Sequence, residues 1–240
     1  MHKLSNPKAN MNRYAIFAFL FTLVFISCKK DKEKDVKEFE FDFTGNTEGW
    51  EGFFSDYPAG SENFYELGFS HSFLPAPLNE SVRSIKISGN NHSDDLLALI
   101  VKKIDGLLPN AVYSVTFNIE LASNVTSNSP GAGGSPDLEF GVGGLSYKPE
   151  NSLDAGYYRP NFTSLLQSRQ SNEVLQSVGR IGVSTDFPAP FTLVNRNNLS
   201  EPMQLKTNNN GEMWLMIGTD SGFEGITTLY YKSIKIRMEQ

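Results

Sequence analysis

The sequence predicts an all-β protein: an antiparallel β-sandwich with a long irregular middle segment. Three observations carry this expectation. Several runs place an apolar residue at every second position, which gives a strand one buried and one wet face. Two short segments, Leu96 to Val101 and Met213 to Ile217, are apolar on both faces, as central sandwich strands are. No long stretch shows the period of an amphipathic helix.

In chain order, the first strand signal is Phe39, Phe41 and Phe43, alternating with Glu40 and Asp42. Val82, Ile85 and Ile87 sit in a Ser-Val-Arg-Ser-Ile-Lys-Ile-Ser run. Tyr113, Val115, Phe117, Ile119 and Leu121 alternate with Ser114, Thr116, Asn118 and Glu120, the clearest strand of the chain. Residues 123–136, rich in Asn, Ser, Gly and Pro, read as a loop. Ser164 to Val178 is compatible with a short helix, and Gly179, Gly182, Pro188 and Pro190 interrupt the stretch after it. The chain closes on a strand in which Ile234, Ile236 and Met238 alternate with Lys235 and Arg237. Strands at both ends with turn signals between them argue for a sandwich.

The first residues are of another kind. Lys3, Lys8 and Arg13 form a basic leader, and Ala15 to Ile26 is a nearly unbroken apolar run ending at Ser27 and Cys28. This is the signal-peptide pattern, and the run is shorter than the roughly 20 residues of a membrane-spanning helix. Val24-Phe25-Ile26-Ser27-Cys28 resembles a bacterial lipobox, with Phe25 where the family usually has leucine. The resemblance implies lipidation of Cys28 after cleavage. The expected organisation is then a lipoprotein signal peptide over 1–27, a lipidated Cys28 with a charged flexible tether over 28–38, and one sandwich domain over 39–240. The tether, from Lys29 to Glu38, is almost wholly charged. It reads either as a plain spacer or, by its resemblance to Lys/Asp-rich stretches of some Gram-negative lipoproteins, as a signal for the outer face of the outer membrane.

Charge and cysteine content exclude some classes. The chain has 21 Lys and Arg against 27 Asp and Glu, a net charge of −6, and without the leader's three basic residues it is −9. So acidic a domain is a poor nucleic-acid binder, and its own surface is not drawn to anionic lipid. Cys28 is the only cysteine, so the domain carries no intramolecular disulfide and stands on its core.

Three places give the body a resemblance to galactose-binding-like jelly rolls of carbohydrate-binding modules. They are Phe39-Glu40-Phe41-Asp42-Phe43 with Glu48-Gly49-Trp50; Gly106-Leu107-Leu108-Pro109-Asn110-Ala111-Val112-Tyr113; and Tyr230-Tyr231-Lys232-Ser233-Ile234-Lys235-Ile236. The resemblance implies a jelly-roll sandwich and a glycan ligand. It also implies a structural calcium between acidic residues of the first and last strands, but Lys232 stands where the last strand often has Asp.

Catalytic patterns are scarce. His71 and His92 have no recognisable partners, and there is no Gly-x-Ser-x-Gly elbow, His-Glu-x-x-His or Cys/His cluster. The Gly-rich run 131–136 lacks the lysine of a phosphate loop. Two acidic turns, one with Asp94 and Asp95 and one with Asp220 and Glu224, carry the oxygens a structural calcium needs, and the same residue types are ordinary turn formers. Trp50, Phe53, Phe54 and Tyr57 form an aromatic segment fit either to stack on a sugar or to fill the sandwich core, with Tyr157 and Tyr158 a second platform. The sequence therefore points to an outer-membrane lipoprotein, periplasmic or displayed at the surface, with a non-catalytic ligand-binding domain. Its partners would be the bilayer, through acylated Cys28, and an extracellular glycan. An envelope assembly protein that binds another protein is the alternative, and a glycoside hydrolase or lyase the third reading.

Overall fold

The computed structural model describes residues 1–2 and 35–240. The leader, Cys28 and the start of the tether lie outside the described residues. All regular structure among the described residues is β. The strands are β1 (Val36–Phe41), β2 (Glu51–Ser55), β3 (Gly68–Phe73), β4 (Arg83–Asn90), β5 (Leu96–Ile104), β6 (Val112–Ser123), β7 (Ala132–Gly133) and β8 (Glu139–Leu145). They continue with β9 (Asn151–Asp154), β10 (Tyr157–Pro160), β11 (Leu175–Arg180), β12 (Thr192–Asn197), β13 (Met203–Lys206), β14 (Met213–Ser221), β15 (Phe223–Glu224) and β16 (Ile226–Glu239).

Two antiparallel sheets make an all-β jelly-roll-like sandwich. The first runs β12-β6-β16-β4-β3, with β1 beside the second half of β16 and β13 beside the first half of β6. The second runs β11-β8-β14-β5-β2. The alternation read from the sequence sets the inner face of the first sheet: Tyr113, Val115, Phe117, Ile119 and Leu121 are all fully buried. Facing them from the second sheet are Ile100, Phe140, Val142, Leu215 and Ile217, in the same cluster.

The long strand β16 changes phase partway. Leu229 and Tyr231 point inward, and so do Ile234, Ile236 and Met238. A strand alternates strictly by two, so one residue must be looped out, and the pairing with β6 shifts register between Tyr231 and Ser233. Lys232 sits at this bulge with Nζ 2.6 Å from Glu120 Oε2, so it forms an ion pair there.

Strands β5 and β14 are apolar on both faces because both faces are covered. Leu97, Leu99, Val101 and Met216 turn away from the main core and form a second cluster with Leu145, Leu166 and Leu175, against which Phe162 and Val174 pack. The middle of the chain thus lies on the outside of the second sheet. Glycines in β8 permit this close approach. A Cβ on Gly143 would stand 1.8 Å from the Val174 carbonyl oxygen, and one on Gly141 2.4 Å from Leu166.

Two sequence expectations need correction. Residues 164–178 are not a helix. One turn forms, with Arg169 N–H donating to Leu166 O at 2.8 Å, and the Asn172 side chain then accepts from the N–H groups of Val174 and Leu175 and starts β11. The turn ends there because Leu166 and Leu175 are drawn onto the sheet. The domain also begins earlier than 39: Val36, Lys37 and Glu38 pair with Glu239, Met238 and Arg237 of β16. Sheet hydrogen bonding gives this charged stretch an ordered place that composition alone does not reveal, and Glu38 lies 3.3 Å from Arg237.

Candidate functional site

The aromatic segment after β1 is largely core. Trp50 is 1% exposed and meets Phe41 edge-on at 5.6 Å, its Nε1 without a hydrogen-bond partner. Tyr57 is 6% exposed between Tyr65 and Tyr158. Burial, reinforced by the nearby Glu62 carboxylate, pushes its hydroxyl up to about 12. Phe53 is half-buried against Phe162, and Phe54 is half-buried against the main core. The four do not make an open platform: Trp50 lies in the main core with Phe54 packed against it, Phe162 of the middle segment meets Phe53, and Tyr158 of the β9–β10 hairpin meets Tyr57. Asn151 Nδ2 donates to Phe54 O at 2.8 Å, and Asp56 N–H to Tyr158 O at 2.9 Å.

The acidic turns are brought together only in part. Among the described residues no three His, Cys, Asp or Glu side chains converge as a metal-ligand group. Asp95 is drawn to the hairpin instead: Arg159 Nη1 lies 3.1 Å from Asp95 Oδ2 and 2.7 Å from Asp56 Oδ1. Burial and the charges of Asp56 and Asp220 nonetheless push the Asp95 carboxyl up to about 7, with Arg159 opposing. Glu224 lies in the short β15, paired with Ala132. Asp94 and Asp220 line one cleft with Gln167 and Gly222. His71 donates its Nε2–H to the Phe43 carbonyl oxygen, 2.6 Å away, and His92 stacks on Phe64 at 4.2 Å.

A groove that sequence reasoning missed combines an open aromatic face with polar groups. It has a volume of about 460 Å³ and lies where β4 and β6 end and β16 begins. Phe187 and Ile226 are 56% and 61% exposed in its walls, and Phe191 stands beside them, edge-on to Tyr230 at 5.2 Å. Asn90, Asn124 and Thr228 supply amides and a hydroxyl. Asn90 donates its Nδ2 to Glu66 at 2.9 Å and keeps its carbonyl oxygen, while Asn124 and Thr228 have no side-chain partner among the described residues. Among the described residues no acidic or basic side chain lines the groove.

Local backbone pairing places Phe187. Val183 N–H donates to Val125 O at 2.9 Å and Ser127 N–H to Ser184 O at 3.1 Å, tying the 184–191 loop to the loop after β6. Pro188 and Pro190 lack the N–H that a ladder would use, so the chain stays a loop until β12. The signal was present in the sequence as Phe187-Pro188-Ala189-Pro190-Phe191, a pair of phenylalanines on a proline-stiffened loop.

The groove lies at the end of the sandwich opposite Val36. Asn90 pairs with Ile226 at the start of β16, and Val36 pairs with Glu239 at its finish.

No protein-family model matches the chain. No curated protein matches it either. Solved structures of low similarity do. One, described as a putative sugar binding protein from Bacteroides thetaiotaomicron, is 10% identical with a TM-score of 0.40, over 77% of this chain and 86% of that one. The N-terminal CBM22 tandem of Paenibacillus barcinonensis Xyn10C is 14% identical with a TM-score of 0.42, over 86% of this chain and 47% of that one. A cleaved adhesin domain of Lys-gingipain from Porphyromonas gingivalis is 8% identical with a TM-score of 0.40, over 83% of this chain and 97% of that one. At these levels the likenesses assign neither ligand nor activity to this chain.

Proposed function

We propose that this protein is an exported lipoprotein whose sandwich domain binds a glycan without cleaving it. The observation that carries the reading is the groove in which the exposed Phe187 ring stands beside Phe191 with unpartnered Asn124 and Thr228 groups within the same walls. Sugars offer an apolar ring face and a rim of hydroxyls. A phenyl ring covers the first, and amides and hydroxyls exchange hydrogen bonds with the second. The volume falls within the ~300–1,000 Å³ of small-ligand sites.

The test is a glycan array probed with the intact protein in detergent, followed by titration of the best ligand. Phe187→Ala is expected to weaken binding about two- to tenfold, matching the ~0.5–1.5 kcal/mol that an aromatic contact adds. Its melting temperature should stay close to wild type, because an exposed side chain contributes little to folding. An array without binders, or an unchanged affinity in the variant, would remove the reading.

The anchor is proposed from the sequence. Cys28→Ser should abolish labelling by a radioactive or clickable fatty acid and leave unprocessed precursor in the envelope. A wild-type protein that takes up no label would sink the lipoprotein assignment.

A further inference from the structure

The Val36 end of the sandwich carries side chains that the core does not use. Here β5 finishes and β14 begins, with Ile104 paired to Met213. Met213 and Leu215 point into the main core, so Trp214 between them points out of the second sheet, where it is half-buried. Lys103, its partner across the ladder, holds Nζ 5.6 Å from the indole centroid. Lys148, just after β8, lines the same cleft and has no side-chain partner among the described residues. Tyr147 next to it is 44% exposed.

The turn from β5 to β6 projects at the same end. Leu108 and Val112 are 45% and 48% exposed, while Leu107 is buried. Leu107 N–H donates to Gly211 O at 3.1 Å and Asn110 N–H to Asn208 O at 2.9 Å, which fixes this turn beside the one leading into β14. The N-terminal chain enters at the same place. The Tyr113 hydroxyl donates to Asp35 Oδ2 at 2.5 Å and accepts from the Leu108 N–H at 3.0 Å. The segment that leads back to Cys28 thus departs one side chain away from the exposed Leu108. The seven peptide steps from Asp35 to Cys28 span at most about 25 Å.

We infer that this end of the domain docks on the bilayer that holds the lipid, with Leu108, Val112, Tyr147 and Trp214 at the level of the headgroups. The inference rests on the lipoprotein reading. Tyr and Trp suit that level because each ring is apolar with one polar tip. Lysines beside them lay their stems on apolar surface and keep the ammonium at the phosphates. Lys103 and Lys148 are so placed, and Lys206, paired with Val112, is exposed and has no side-chain partner among the described residues. Glu51 and Asp105 share the Trp214 cleft and offset its lysines, so the contact is mainly apolar and aromatic and does not call for anionic lipid. A bilayer is the partner because a tether this short keeps it within reach at high effective concentration, where weak contacts suffice. No other surface is held there by the chain itself.

The experiment reconstitutes the mature full-length protein into phosphatidylcholine vesicles, with and without a nitroxide quencher on the upper acyl chain. Leu108→Cys and Asn128→Cys each receive an environment-sensitive thiol fluorophore, which acylation keeps off Cys28. Asn128 is exposed in the loop after β6, at the groove end. The label at position 108 is expected to shift to the blue and lose much of its emission to the quencher, and the label at 128 to do neither. Trp214 gives a reading that leaves the turn unaltered. Brominated lipid is expected to quench the tryptophan emission of wild type and not that of Trp214→Phe, in which only the enclosed Trp50 emits. Protein that floats with the vesicles while both labels behave alike, or while wild-type emission is unquenched, overturns the docking and leaves the anchor standing. Protein that does not float, or wild type that takes the thiol label on Cys28, removes the anchor and the docking with it.

Discussion

Trp50→Ala is expected to destabilise the domain by about 3–5 kcal/mol, the usual cost of deleting a large buried aromatic. The indole is almost fully enclosed and meets Phe41 edge-on, so its removal leaves a cavity between β1 and the second sheet. Trp50→Phe should cost distinctly less. It keeps a ring in place and removes the Nε1–H that has no partner. Urea unfolding of the three proteins measures both differences. A loss under about 1 kcal/mol in the alanine variant is what an exposed residue would give, and it would make Trp50 a candidate ligand contact again.

Stability is expected to fall as pH rises from about 4 to 8. Carboxylates usually do the opposite, because pairing lowers their folded pKa. Here burial, with Asp56 and Asp220 nearby, raises Asp95 from 3.8 to about 7, and burial raises Asp220 as well. A group whose pKa is higher in the folded state binds more protons folded than unfolded between the two values. Its contribution is complete below the unfolded pKa of 3.8 and is lost as pH climbs through about 7. Asp95 keeps part of its side chain in water, so solvent screening reduces its share, while the buried Asp220 acts in the same direction. Asp220→Asn should therefore flatten the profile and stabilise the protein on its alkaline side. Denaturation midpoints at pH 5 and 8 decide the matter. A wild-type midpoint that rises over that interval would contradict the assigned directions.

Much of the sandwich was legible in the sequence, for a simple reason. A strand with one buried face writes its orientation into every second residue, and Tyr113 to Leu121 do so without exception. The doubly apolar runs of β5 and β14 were legible as central strands, but not the cause of their second apolar face. That cause is a segment some tens of residues away in sequence, with Phe162, Leu166 and Val174 spread along irregular chain. Irregular backbone has no period, so its buried residues cannot be told from its exposed ones. The candidate site suffered from the same blindness. Trp50 and Phe187 are both large aromatics beside turns, and only the fold shows that one is enclosed and the other open. The acidic turns were recognisable as such, but Arg159, which diverts Asp95, comes from a hairpin 64 residues further on.

The position of Val36 beside the far end of β16 sets a stand-off. A strand of 14 residues spans about 45 Å at the usual rise per residue. With lipid on Cys28, the eight peptide steps to Val36 reach at most about 29 Å when fully drawn out. Under the proposed anchoring, Val36 marks the end of the sandwich nearer the lipid, and the groove with Phe187 lies at the opposite end. The strand's length exceeds that reach, so in such an anchored protein the sandwich more than the tether would set the distance between lipid and groove.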